Sequence, residues 1–251
     1  RYFTQIFEYS SADKQGYQNL DLKPEKKCKE IIADPKRKTS IFVWSDGKTQ
    51  MVIPIMNSSM KTLSADYLPK PHCRGLIEGI TEGLKPIWVP ALTIKGKTYY
   101  PTNRFLKSKI FHENGWDIYE VIFDRIYETP KEDSSFDGLT IKTQYLFSSH
   151  YFKRIDTFIA KDDLIIEELK MEILQAAPHP KRVAGYGKVH QINIENFSSN
   201  LDLQKSEKIE IGNDPSYRNF FGRPSHHWNI NGKNLTLTRS KEYHLEVMIS
   251  W

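Results

Sequence analysis

The chain has 251 residues and a mass of 29.4 kDa. Thirty-six Lys and Arg stand against 31 Asp and Glu, for a formal charge of +5, and 39 % of residues are hydrophobic and 12 % aromatic. This balance excludes a disordered or fibrous chain, and it lacks the dense basic stripe or motif of a nucleic-acid binder, so no nucleic-acid partner is expected. Cys28 and Cys73 alone exclude a disulfide scaffold and a four-cysteine zinc centre, and leave one bridge between them open. No apolar run approaches the ~18 residues that span a bilayer, so no membrane partner is expected.

The chain opens on Arg1-Tyr2-Phe3 with no Met and no signal peptide, which reads as a domain excised from a longer polypeptide; localisation is not readable from it. Pro24 ahead of Glu25 to Ile32 predicts one short helix with Pro in its first turn. Ser40 to Trp44 and Thr49 to Met56 predict a hairpin about Asp46-Gly47. Arg74 to Leu84 carries Gly75, Gly79 and Gly83 and predicts a loop, since each glycine costs a helix interior about 1 kcal/mol. Leu92 to Ile94 and Thr98 to Pro101 flank Lys95-Gly96-Lys97, a second hairpin. Trp116 to Tyr127 predicts a long strand, and 133–138 a surface loop. Leu139 to Phe147 alternates, with Ile141, Thr143, Tyr145 and Phe147 on one face. Asp162-Asp163 turns the chain into a strand over Asp163 to Leu174. Val189 to Phe197 is another strand and Ser198 to Ser206 a loop. His227 to Ile230 and Asn234 to Thr238 flank Asn231-Gly232-Lys233, a third hairpin, and Tyr243 to Trp251 closes the chain with strict alternation.

Ten to fourteen strands with little helix predict an all-β fold. The expected form is one domain over residues 1–251, a large two-sheet antiparallel β-sandwich (supersandwich-like).

Three groups of residues carry a resemblance: Met51 to Asn57; Tyr67-Leu68-Pro69-Lys70-Pro71-His72-Cys73-Arg74-Gly75 running on to Gly79; and Thr143 to Phe147 leading into Lys153 to Phe158. Together they resemble the C-terminal domain of a bacterial family known as domain of unknown function 2264. The resemblance implies a helical α/α-barrel-like domain upstream in the same polypeptide, with an arrangement similar to the heparinase II/III type of polysaccharide lyases. It implies carbohydrate work only by analogy of fold.

Four clusters could carry chemistry. His72 and Arg74, in a Pro- and Gly-rich stretch with Glu78, could neutralise and protonate an anionic sugar; the competing reading is a surface turn in which Arg74 pairs with Glu78. His150, Arg154 and Asp156 fall on one face at period two, where an Asp can orient a His or Arg; the competing reading is a cross-strand salt bridge on a solvated sheet face. Arg223, His226 and Trp228 interleave cationic and aromatic side chains in a loop suited to sugar rings, or simply packed over the end of the sandwich. Tyr100 with Arg104 is the pair a lyase would use, a phenolate base beside a guanidinium on the uronate. The phenol's ordinary pKa near 10 then has to be lowered by positive charge.

No His-x-His or His-Glu-x-x-His spacing points to a metal, and no nucleophile elbow, phosphate loop or dinucleotide fingerprint points to another enzyme class, so no cofactor is expected. The functional expectation is a sandwich domain of a carbohydrate-active protein that contributes to a lyase-like cleft for acidic sugars. In that reading Tyr100, His150 or His226 moves the proton, and His72, Arg74, Arg104, Arg154, Arg223 and Trp228 hold the saccharide. The alternative is a non-catalytic module that binds glycan or docks on the helical domain.

Overall fold

A computed structural model describes residues 26–34, 39–46, 49–55, 66–69, 77–78, 89–101, 104–128, 134–149, 151–176, 188–193, 210–214 and 225–250. Eighteen strands lie among them, more than the pattern of alternation suggested. The first five are β1 Lys26–Asp34, β2 Thr39–Asp46, β3 Thr49–Ile55, β4 Asp66–Pro69 and β5 Ile77–Glu78. Next come β6 Ala91–Ile94, β7 Lys97–Tyr99, β8 Lys107–Glu113, β9 Trp116–Phe123, β10 Ile126–Tyr127 and β11 Ser135–Phe136. The remainder are β12 Leu139–Phe147, β13 Tyr151–Ala160, β14 Leu164–Ala176, β15 Lys188–Asn193, β16 Glu210–Asp214, β17 Ser225–Leu237 and β18 Glu242–Ser250. The fold is an all-β antiparallel sandwich. Its strands form a four-stranded sheet (β1-β2-β3-β4), a six-stranded sheet (β15-β18-β13-β12-β9-β8), a sheet ordered β16-β17-β14-β6-β7 with β5 beside β14, and a small ribbon of β10 and β11.

The six-stranded sheet organises the rest. Its register aligns side chains of one face in rows: Phe123, Ile141, Phe158 and Tyr243, then Val121, Thr143, Asp156 and Leu245, then Tyr119, Tyr145, Arg154 and Val247. All twelve are buried, and one contiguous core joins the apolar ones to Leu92, Ile166, Leu169 and Leu235 of the β14 sheet. Burying each large apolar side chain contributes roughly 1.5–3 kcal/mol, so this face is the main source of stability.

The four-stranded sheet packs onto one end of the same face. Phe42 lies flat on Tyr119, with centroids 4.3 Å apart and planes at 3°, and Trp44 stacks on Phe147 at 5.4 Å. Polar contacts tie the same seam. Trp44 Nε1 donates to Asp117 Oδ2 at 2.8 Å, Tyr119 OH donates to Glu30 Oε1 at 2.6 Å, and Ser108 Oγ donates to both Glu30 oxygens.

At the opposite end the chain crosses from the six-stranded sheet to the β14 sheet and later crosses back. The β13–β14 and β17–β18 connections bond to each other there: Ser240 N donates to Ala160 O at 2.9 Å and Arg239 N to Asp163 Oδ1 at 2.8 Å.

Several expectations are corrected. The segment predicted as a short helix is β1, paired with β2 from Lys26↔Asp46 onward. A turn of isolated helix is a weak competitor to a full ladder of cross-strand bonds. Part of the glycine-rich stretch predicted as a loop is β5, paired with β14, and the predicted loop at 133–138 contains β11. The long strand over Trp116 to Tyr127 breaks at Asp124-Arg125 into β9 and β10. The strand predicted over Val189 to Phe197 is described as β15, Lys188–Asn193, and the loop predicted at Ser198 to Ser206 lies outside the described residues.

The third hairpin is absent: β17 runs unbroken through Asn231-Gly232-Lys233, and Gly232 pairs with Leu169. Turn-forming residues serve a kink here. Asn234 adopts φ 53°, and the buried positions change phase on both strands at this point, from Ile166 to Leu169 in β14 and from Leu235 to Gly232 in β17. The register is preserved across the kink, with Ile166↔Leu235 and Glu168↔Lys233. Glu167, at the kink, accepts from Gly96 N in the β6–β7 turn at 3.0 Å. That turn is the second predicted hairpin, with Lys95 and Gly96 at φ 52° and 72°.

The kink makes a prediction. Asn tolerates the left-handed region that a β-branched residue does not, at a cost of roughly 1–2 kcal/mol. Asn234→Val is therefore expected to lower the melting temperature by about 2–8 °C and Asn234→Gly to leave it nearly unchanged. Calorimetry checks both, and equal melting temperatures for the two variants would remove the kink as a constraint.

Candidate functional site

Of the nine residues singled out by sequence, His72, Arg74, His150 and Arg223 lie outside the described residues. His226 and Trp228 belong to β17, opposite Gln175 and Ile173 of β14, so a paired strand replaces the expected loop there. Arg104 is exposed. Tyr100 is half-buried and joins Tyr127 through two backbone bonds, N to O at 2.9 Å and back at 3.0 Å. Burial, and then the Glu172 carboxylate, push its phenol above the ordinary value. That is the reverse of the lowering a phenolate base requires.

Arg154 is only 2 % exposed. Its Nε donates to Asp156 Oδ2 at 2.7 Å, its Nη2 to Asp156 Oδ1 at 2.9 Å and its Nη1 to Tyr145 OH at 3.3 Å. Thr143 Oγ1 donates to Asp156 Oδ1 at 2.6 Å, and the guanidinium lies 5.1 Å from the centre of the Tyr145 ring. Period-two spacing correctly put Arg154 and Asp156 on one face. The pair, however, runs along one strand rather than across two, and the face is core rather than solvent. Loss of hydration is the largest single influence and acts to lower the guanidinium's pKa, but Asp156 and Tyr145 together more than offset it, and Arg154 is held charged. A bidentate fork with its partner's second lone pairs also filled is the arrangement in which a buried ion pair is tolerated.

The outward face of the six-stranded sheet presents a different set. Trp116 opens β9 and Tyr151 opens β13; their rings sit 6.4 Å apart at 58°. Tyr151 is 44 % exposed. Lys153 Nζ lies 5.8 Å from the Trp116 ring and 2.8 Å from Glu246 Oε1. On the same face Lys109 Nζ sits 4.6 Å from the Phe111 ring and 3.1 Å from Glu120 Oε1, which is itself nearly buried. Gln144 Nε2 donates to Glu120 Oε2 at 2.7 Å. Sequence reasoning missed this group. Its members come from five strands, β8, β9, β12, β13 and β18, and only the register reveals that they share a face; the readable signal was an aromatic residue at the start of β9 and another at the start of β13. The arrangement can stack flat apolar rings and offer adjacent donors and acceptors.

Among the described residues no group of three or more His, Cys, Asp or Glu is placed to hold a metal, and no helix is long and apolar enough to cross a membrane. Cys28 is free, and burial followed by the Asp117 carboxylate pushes its thiol up to about 11.

Two predictions follow from the buried groups. Arg154→Ala leaves the Asp156 carboxylate buried without its cation, at a cost of about 3–5 kcal/mol, so a fall in melting temperature of about 6–20 °C is expected. Arg154→Met with Asp156→Leu should recover most of it. A melting temperature for Arg154→Ala within experimental scatter of the parent would contradict the pair's structural role.

The phenols of Tyr100, Tyr119 and Tyr145 are all raised, each first by burial. A raised phenol contributes stability that is complete below the unfolded pKa of 10.0 and is lost as pH climbs toward the folded value. Urea unfolding should therefore show stability falling above pH ~10, by up to about 1.4 kcal/mol per pH unit for each phenol. Tyr119→Phe should flatten that slope, and an identical slope in both proteins would refute the assignment.

No family model and no curated protein matches the chain. Among solved structures it is similar to a mutant of heparan sulfate lyase HepC from Pedobacter heparinus, at 10 % identity with a TM-score of 0.43, and to the unmutated HepC at 11 % with 0.38. Each comparison covers 85 % of this chain but 35 % of the lyase. The likeness is one of distant architecture, and the chain spans about a third of the length of the lyase it is compared with.

Proposed function

We propose that this chain is a β-sandwich module of a bacterial carbohydrate-active protein and that it binds glycan without cleaving it. The observation that carries the non-catalytic half is the state of one candidate cation, Arg154, and one candidate base, Tyr100. The Arg154 guanidinium is engaged by Asp156 inside the core, and the Tyr100 phenol is pushed up rather than down. Proton abstraction beside a carboxylate needs a base ionised near neutral pH and a cation facing the substrate, and neither residue offers that.

Support for the saccharide half comes from the exposed aromatic and cationic side chains on the outward face of the six-stranded sheet. In this reading the helical domain of the same polypeptide is the partner, and the sandwich presents or holds the sugar chain beside it.

The test is to mix the 251-residue chain with uronate-containing and neutral polysaccharides and follow binding and turnover together. Binding without new absorbance from unsaturated product is expected. Unsaturated product that disappears in Tyr100→Phe would replace this reading with the lyase one.

A further inference from the structure

We propose that the outward face of the six-stranded sheet, at the end carrying Trp116 and Tyr151, binds an uncharged, hydroxyl-rich saccharide chain; the inference rests on the glycan-binding reading above and gives it a site and a ligand class. The site differs from every residue singled out by sequence.

The first argument is shape. Trp116 and Tyr151 are neighbours across the strand ends, their planes inclined at 58°, and Tyr151 is 44 % exposed although it sits in a strand. A sugar ring has one flat face of C–H groups, which an open aromatic face accepts with loss of apolar surface to water. Two rings at an angle fit successive residues of a chain that turns as it crosses the sheet.

The second argument is charge. Lys153 is paired with Glu246 and Lys109 with Glu120, at 2.8 and 3.1 Å. Each pair places a donor beside an acceptor. Sugar hydroxyls both donate and accept, so they suit such pairs. A polyanion at the Trp116 end would have to displace Glu246 from Lys153. The Lys109 side chain is 60 % exposed and Glu120's only 8 %, so the cation lies outermost with donors to spare.

The third argument is extent. From Trp116 to Glu120 along β9 is four residues, about 14 Å of strand, which exceeds a single monosaccharide and calls for a chain.

Calorimetric titration of the 251-residue protein with xylan, mixed-linkage β-glucan and glucomannan, and separately with hyaluronan and heparan sulfate, tests this. At least one neutral polysaccharide is expected to bind, with an affinity that added salt barely changes. Tyr151→Ala and Trp116→Ala should each weaken it about tenfold or more, and Tyr151→Ala should do so with an unchanged melting temperature. Lys153→Met should weaken neutral glycan binding as well. Binding of acidic polysaccharides alone, or neutral binding indifferent to Tyr151→Ala and Trp116→Ala, would overturn this site while leaving the glycan-binding reading standing. Failure of all five polysaccharides to bind would overturn both.

Discussion

The buried ion pair of Arg154 and Asp156 is the constraint on which the sandwich turns. It sits in the middle of the six-stranded sheet's inner face, between the end that receives the four-stranded sheet and the end that meets β14. Two charges there oppose folding unless every donor and lone pair is answered. Thr143 and Tyr145, one strand away at Thr143↔Asp156 and Tyr145↔Arg154, each supply one further bond to the pair. The network thus joins β12 to β13 by side chains as well as by backbone, and it does so at one register.

Register matters because Arg154 and Asp156 interrupt the apolar pattern of β13. Phe152, Phe158 and Ala160 face the core in the observed pairing, with Arg154 and Asp156 between them. A one-residue slip would bring Ile155, Thr157 and Ile159 inward, but Lys153 with them, and would take Phe152 and Phe158 out of the core. The slip would also part Arg154 and Asp156 from Tyr145 and Thr143. The observed register therefore buries the two phenylalanines and gives the buried charges their partners at once.

This explains what was legible in the sequence and what was not. The β12 strand was readable to the residue, because Ile141, Thr143, Tyr145 and Phe147 alternate on one face, interrupted only by Leu146 on the other, and all four are buried. The pairing of β2 with β3 and the hairpin at Lys95-Gly96 were readable from turn signals that act within four residues. The β1 strand was not, since its lysine-rich start shows no alternation and its conformation comes from pairing with Phe42 and Trp44 of β2. At Asn231 to Asn234 the turn chemistry was real, but neighbours on β14 hold the chain extended and use the positive φ of Asn234 to kink two strands together. Local signals report what a segment permits, and the partner strand decides among the permitted forms.

The same logic links the core to the outward face. Along β13, Phe152 and Arg154 point in while Tyr151 and Lys153 point out. Trp116 reaches Tyr151 only because Tyr145 lies opposite both Tyr119 of β9 and Arg154 of β13, which sets the stagger of three strands at once. Shifting β13 by one residue would turn Tyr151 and Lys153 toward the core side and part them from Trp116 and Glu246. The spacing of the exposed rings is therefore set from beneath, by a guanidinium buried in the core. Arg154 acts on the outward face through position alone, by fixing the register of the strand that carries Tyr151 and Lys153.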